Sequence, residues 1–348
     1  MDYEIQLPSI GEYTEMTVGD KNAIGLLCNG ELTEYTNLSI PVFNNSSAFR
    51  GQDDFRKLVI GANVGNMAFD GDRHIKEVIL TGTSVGNWAF RGTTLERFIA
   101  PNLTSLSDSC LQNSTDLSFV YAPNVKHVGA LALNACESLT DEGAESVFSN
   151  AVSFSGNVEF RGCISLENVY LPKLTDLAKY AANGTTFGNC YHLRRVYIPN
   201  LVTSTKSTAS IPQSFFYRTA SIWIFRVPLA TSINEQPSDI NCPNVKLFDS
   251  SVANIPAGWI SRFVQFAKIL ILRKTDAVTS IANSTGMTQS FAVKVYVPSA
   301  LKSSYESATN WSTLLANGKV EFYDLEGSRF EDPDYDDTDI YNADRGDL

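Results

Sequence analysis

The stretch VEFRGCISLENVYLPKLTDL, Val158 to Leu177, recurs in outline as TFGNCYHLRRVYIPNLVTS, Thr186 to Ser204. Recurrence at this spacing is the signature of a repeat architecture and outranks every other reading of the chain. In the first copy Phe160 is followed by Leu166, Val169, Leu171 and Pro172; in the second, Phe187 is followed by Leu193, Val196, Ile198 and Pro199. Val169 and Leu171 share one face of an extended segment and Tyr170 takes the other, which is strand periodicity, too short and too β-branched for a helix. One such unit cannot hide its apolar face. Copies stacked along an axis bury a continuous core and pair their strands in parallel, so the fold class expected is a solenoid with a parallel β-sheet face and short helices or turns on the other side. Proline gives no N–H to the ladder, so Pro172 and its equivalents Pro101, Pro123, Pro199 and Pro228 are expected to end each strand.

Apolar anchors fall at Phe49, Phe69, Phe90, Leu111, Leu133, Phe160, Phe187 and Phe216, so the coils lengthen from 20–22 residues to 27–29. The organisation expected is a non-repeat N-terminal cap over 1–30, a solenoid over 31–240 whose first, incomplete copy is Glu31 to Pro41, degenerate repeats and a C-terminal cap over 241–326, and an acidic tail over 327–348. Thr140 to Phe154, TDEGAESVFSNAVSF, offers a capping threonine, acids in the first turn and helical apolar spacing, and predicts a short helix interrupting the sheet. FAKILILR, Phe266 to Arg273, predicts a strong strand. The cap reads as β-α-β: a strand over Val293 to Val297, a helix from near Pro298 and a strand around Val320 to Tyr323. Past Gly327, eight acids stand against two arginines with little to bury, the composition of a segment that is mobile unless a partner holds it.

A net charge of -11 disfavours a nucleic-acid binder, whose affinity rests on cationic side chains. No apolar run reaches the roughly 18 to 20 residues of a membrane span, and the opening MDYEIQLPSIGEY has neither a basic start nor an apolar core, so standard secretion is not expected. Cys136, Cys163 and Cys190 occupy one column of the repeat, three residues after the anchor, and read as buried free thiols. Cys28, Cys110 and Cys242 show no pairing logic, and no C-x-x-C pair with nearby histidines supports zinc. No metal or other cofactor is expected.

The pattern F-x-x-C-x-x-L-x-x-V-x-[IL]-P resembles the BspA-like branch of leucine-rich repeats over roughly Leu32 to Phe225. The ending ILILRKTDAVTSI followed by KVYVPSALKSSYESATNWS is similar to the terminal block of repeat proteins of this branch from gut bacteria and their phages. The resemblance implies a non-enzymatic leucine-rich-repeat scaffold displayed on a bacterial surface or a virion to contact a host. Without an export signal or wall anchor, the reading favoured is a phage virion component of a tail or fibre. A bacterial surface adhesin and a glycan-degrading spike are the alternatives.

Strand neighbours alternate faces, so the residues between the inward pairs point outward: Val59, Ile79, Ile99, Tyr121, Tyr170, Tyr197 and Arg226. An aliphatic stretch passing into tyrosines and an arginine suits a contact surface, although β-propensity alone also selects valine, isoleucine and tyrosine. The flanking column is Lys57, Glu77, Arg97, Phe119, Asn168, Arg195 and Ile224. The partners expected are other virion proteins, a host surface protein or glycan, and a further copy of the chain. His74, His127 and His192 lie in different repeats and are expected in loops or turns. No G-x-S-x-G, H-E-x-x-H or P-loop pattern appears, and a glycosidase needs paired carboxylates where the strand faces hold only Glu77. In the tail, Asp332, Asp334 and Asp336 have the alternate spacing of a calcium loop without its glycine or distal glutamate. Arg345, Gly346 and Asp347 spell the tripeptide that integrins read.

Overall fold

The computed structural model describes residues 57–60, 63–73, 75–155, 159–177, 185–202, 211, 215–233 and 244–326. The N-terminal segment, the incomplete repeat at Glu31, anchor Phe49, Cys28, His74, Cys242 and the acidic tail with its aspartates and its Arg345 tripeptide lie outside them. Contacts divide the chain into two units, meeting between Leu166 and Glu167.

In the first unit, β1 (Lys57–Ile60), β2 (Glu77–Leu80) and β3 (Arg97–Ile99) are followed by the short β4 (Ser105–Leu106) and by β5 (Phe119–Tyr121). β1, β2, β3 and β5 form a parallel sheet in chain order. β4 pairs in parallel with β6 (His127–Val128), and β6 with β7 (Ser153–Phe154). Inward positions Val78, Phe98 and Val120 are buried, as are the anchors Phe69, Phe90, Leu111, Leu133 and Phe160. The Phe69 and Phe90 rings stack 5.0 Å apart, one coil on the next. Burying a phenylalanine is worth about 1.5–3 kcal/mol, so each coil pins its neighbour through its anchor.

The turns around Phe69, Phe90, Leu111 and Leu133 share one backbone conformation. Residues two before and two after each of these anchors adopt left-handed conformations: Met67 and Gly71, Trp88 and Gly92, Ser109 and Asn113, Leu131 and Ala135. The alternation aims every second N–H at the next coil: Met67 at Asn87, Phe69 at Ala89 and Gly71 at Arg91, at 2.7–2.9 Å. Outside glycine the left-handed region costs about 1–2 kcal/mol per residue, and the interlocked ladder holds it.

The expected helix is α1 (Asp141–Phe148), and the Thr140 hydroxyl accepts from the Gly143 N–H at 3.1 Å. It stands where the next strand of the first sheet would come, packing on β5: the Ser146 hydroxyl donates to the Val120 carbonyl and accepts the Ala122 N–H. The two peptide groups at the sheet edge are thereby satisfied without another strand.

In the second unit the strands are β8 (Asn168–Tyr170), the short β9 (Asp176–Leu177), β10 (Arg195–Tyr197), β11 (Ile224–Val227), β12 (Leu247–Ser250), the short β13 (Asn254–Ile255), β14 (Ile269–Leu272), the short β15 (Ser280–Ile281), β16 (Val293–Val297) and β17 (Val320–Asp324). Seven of them make one parallel sheet in the order β8, β10, β11, β12, β14, β16, β17. The repeat geometry thus continues through the region that reads as degenerate, because LFD and ILI keep an apolar residue at the inward position. Phe225 stacks on Phe248 at 5.7 Å, and Phe248 on Trp259 of α2 (Ala257–Arg262) at 6.4 Å. The cap differs from the single helix expected near Pro298: a 3-10 turn at Ser299–Leu301 leads into α3 (Lys302–Ser307), and α4 (Trp311–Ala316) follows. Asn310, left-handed at φ 66°, separates the two helices. The Trp311 indole donates to the Thr279 carbonyl at 2.7 Å and the Tyr305 hydroxyl accepts the Thr279 N–H at 2.9 Å, fixing both helices to the preceding coil.

Among the described residues, no helix is long and apolar enough to cross a membrane.

Candidate functional site

The prolines shape the end at which the chain leaves each strand. Pro101, Pro123, Pro172, Pro199 and Pro228 each sit in the turn after a strand. In the Pro-Asn turns the asparagine supplies a donor: Asn102 Nδ2 donates to Thr81 O, Asn124 to Pro101 O and Asn200 to Pro172 O, each at 2.7 Å. These clamps hold the coils in register, so residues at one repeat position form a straight column across a sheet.

In the first unit the register sets Val59, Ile79, Ile99 and Tyr121 side by side on adjacent strands. Ile79 and Ile99 are half-buried and Tyr121 is 42% exposed. Beside them Lys57, Glu77, Arg97 and Phe119 align. The exposed Arg97 guanidinium lies 4.4 Å over the Phe119 ring, with Nε 3.5 Å from Glu77 Oε2. Within this flanking column Glu77, Arg97 and Phe119 form a chain of contacts.

In the second unit the register aligns Tyr170, Tyr197, Arg226, Asp249, Ile271, Tyr296 and Tyr323. Tyr170 and Tyr197 stack at 5.4 Å, and the Arg226 guanidinium lies 5.0 Å over the Tyr197 ring. Arg226 Nε and Nη2 donate to Asp249 Oδ2 at 3.0 and 2.9 Å; Arg273 Nε and Nη2 donate to Oδ1 and Oδ2 at 2.6 and 2.9 Å. Tyr170 is half-buried, Tyr197 only 7% exposed, and Arg226 and Asp249 are both fully buried. Trp223, just before β11, has the Arg194 guanidinium at 4.9 Å and the Lys246 ammonium at 5.1 Å from its ring.

Asp249 and Arg273 escape the sequence reading because the anchor pattern fades past Asn241. The signal that finds them is the register: Asp249 stands 23 residues after Arg226, one coil on. With both Asp249 oxygens held by guanidiniums, this carboxylate is not disposed to act as acid or nucleophile.

The thiol column also has a stated role. Cys136 Sγ donates to Leu111 O at 3.2 Å and Cys163 Sγ to Leu133 O at 3.1 Å, the anchor carbonyl one coil back. Ser114 Oγ donates to Phe90 O at 2.9 Å and Thr219 Oγ1 to Phe187 O at 2.6 Å from the same position. The column therefore selects a small donor, and cysteine is one member of a Cys/Ser/Thr set. Cys110, Cys136, Cys163 and Cys190 are buried free thiols. Burial pushes the Cys110 thiol up to about 12 and the Cys136 thiol up further. His192 lies in a turn as expected, whereas His127 is in β6 instead, where its exposed ring meets Ser153 Oγ at 2.7 Å. Among the described residues no group of three or more His, Cys, Asp or Glu is placed to hold a metal ion.

A family model described as the BspA type leucine rich repeat region, in 6 copies, matches residues 44–144 and 144–244. No curated protein matches in sequence. Among solved structures, a leucine-rich repeat protein from Bacteroides ovatus is similar at 15% identity over 85% of this chain and 84% of that one, with a TM-score of 0.37. A leucine rich cell surface protein from Faecalibacterium prausnitzii is similar at 16% identity over 80% and 89%, with a TM-score of 0.35.

Proposed function

Because this chain belongs to the BspA-type leucine-rich-repeat family, we propose that it is a non-enzymatic recognition scaffold displayed on the outside of a particle or cell. The observation that carries this reading is the outer face of the first sheet, where Ile79 and Ile99 lead to an exposed tyrosine beside a stacked arginine. Solvated sheet faces favour polar residues, whereas a shallow apolar strip with Tyr and Arg on it matches the composition of contact surfaces. Val59 continues the column by register. In the second sheet Tyr170 is more accessible than Tyr197 and Arg226, which stack in line beside it.

The partner is a host surface protein or glycan, and the carrier is a phage tail or fibre, the reading to which the resemblance of the C-terminal block points. A bacterial envelope is the other carrier that the family accommodates. Mass spectrometry of purified particles and of envelope fractions separates them: recovery in particles supports the virion reading, and recovery in the envelope alone overturns it. For recognition itself, the measurement is binding of the labelled full chain to intact host cells. The double variant Ile99→Lys with Tyr121→Ser should weaken binding tenfold or more while the protein stays folded, its melting temperature falling by only a few degrees. Undiminished binding by that variant removes the first sheet as the recognition face.

A further inference from the structure

The outward side of the first sheet carries two parallel ridges of different chemistry. Ile79, Ile99 and Tyr121 form one; Glu77, Arg97 and Phe119, two residues earlier on the same three strands, form the other. The first ridge is apolar and ends in a tyrosine that is 42% exposed. The second is polar. Arg97 Nε stands 3.5 Å from Glu77 Oε2, the guanidinium lies 4.4 Å over the Phe119 ring, and 47% of the Arg97 side chain is in solvent. Stacking on Phe119 and pairing with Glu77 hold a planar fork of donors beside a carboxylate, so little side-chain freedom remains to be lost when a ligand arrives.

Size and chemistry select what such a strip holds. Over β2, β3 and β5 it is about 10 Å long and about 7 Å wide, a small fraction of the roughly 800 Å² that each partner buries in a stable protein interface. A protein would have to spread onto the strand entrances, where Lys76 Nζ is already held by Glu96 Oε1 at 3.0 Å and Asp116 Oδ2 at 3.3 Å. An extended peptide fits poorly, because the main chain of β3 is paired on both sides and strand addition needs an open edge. An anionic ligand meets the wrong field: Glu77, Glu96 and Asp116 outnumber Lys76 and Arg97, and Glu142 and Glu145 are exposed on α1, which packs on β5. What remains is a small neutral molecule with an apolar face and a polar rim, and a sugar ring is built that way. Its C–H groups suit the electron-rich face of an exposed aromatic ring. Its neighbouring hydroxyls can donate to a carboxylate and accept from a guanidinium side by side.

We propose that the outer face of the first sheet is a saccharide site for a short neutral oligosaccharide. Tyr121 stacks on one ring, Ile99 and Ile79 carry the apolar edge of the next, and Arg97 with Glu77 binds its adjacent hydroxyls. Resting on the assignment of this sheet as the recognition face, this narrows the partner from a protein or glycan to a neutral glycan.

The test is titration calorimetry of the full chain with neutral oligosaccharides of gluco, manno and galacto configuration, with hyaluronan fragments as the anionic comparison. A neutral member should bind, and Tyr121→Ala and Arg97→Met should each weaken it about tenfold. Tyr121→Phe, which keeps the ring, should retain binding, and all three variants should melt within a few degrees of the parent. Preference for hyaluronan, a neutral ligand bound equally by Tyr121→Ala, or no binding across the panel overturns the proposal. Host cells separate it from the reading beneath it. Mild periodate, which cleaves vicinal diols, should abolish capture of the chain by the cells, and protease treatment should leave capture intact. The reverse pattern removes the saccharide and keeps the recognition face, whereas capture undiminished by Ile99→Lys with Tyr121→Ser removes the face itself.

Discussion

The two large sheets are laid down by the same strand pattern, inward apolar, outward variable, with the coil closed by a Pro-turn, yet their outer faces end in different states. On the first, Glu77, Arg97 and Phe119 contact one another at the surface and Tyr121 stays in solvent. On the second, a fully buried Arg226–Asp249 pair sits among aliphatic residues. The difference lies in what fills the outward column. A surface ion pair such as Arg97–Glu77 is worth little, whereas a buried one is costly to break because the survivor keeps its desolvation penalty. The same repeat can therefore present a replaceable surface or a structural one.

The largest expected effect follows from that contrast. Asp249→Ala should destabilise the protein by about 3–5 kcal/mol, since it removes from the interior the carboxylate that accepts from both Arg226 and Arg273; Glu77→Ala, at the surface pair of the first sheet, should cost under about 1 kcal/mol. Urea unfolding of both variants measures the gap, and equal costs would break the comparison. Next come the outward isoleucines. Ile271→Ala should cost about 2–4 kcal/mol by opening a cavity in the buried cluster, against about 1 kcal/mol for the half-buried Ile99→Ala.

Smaller effects test what the sheets have in common. Cys136→Ala in the first unit and Thr219→Val in the second each remove one donor to an anchor carbonyl and should cost about 1–2 kcal/mol, with Cys136→Ser costing less because it still donates. In the native protein at pH 8 the Cys110 and Cys136 thiols should not react with a thiolate-specific reagent, because burial holds both far above their ordinary values and keeps them protonated. Full reactivity appears on unfolding. The smallest effect is at the clamps: Asn124→Ala and Asn200→Ala should each cost about 0.5–1.5 kcal/mol, equally in the two units.

Much of this architecture is legible in the residues, because inward valine, phenylalanine and leucine at fixed offsets from an anchor leave a parallel solenoid as the consistent solution. Thr140 before an acidic turn marks α1 with equal clarity. The outward columns are harder to read: Tyr121 and Arg226 occupy equivalent positions, and neither residue announces whether something lies on top of it. Asp249 is hidden for another reason. Its coil lacks the phenylalanine anchor, and only the pairing of β11 with β12 exposes its place in the column. The Cys/Ser/Thr donors are readable only when the column is taken as a set, since each alone looks like a small core residue.

The anchor ladder has a bearing on how such a chain changes over generations. The coils anchored at Phe69, Phe90 and Leu111 each donate to the next through three alternate N–H groups, so an internal duplication that copies one such coil supplies its own donors and acceptors. Nearest-neighbour stability of this kind allows the exposed strip to be lengthened or shortened one strand at a time, altering reach without redesigning the interior.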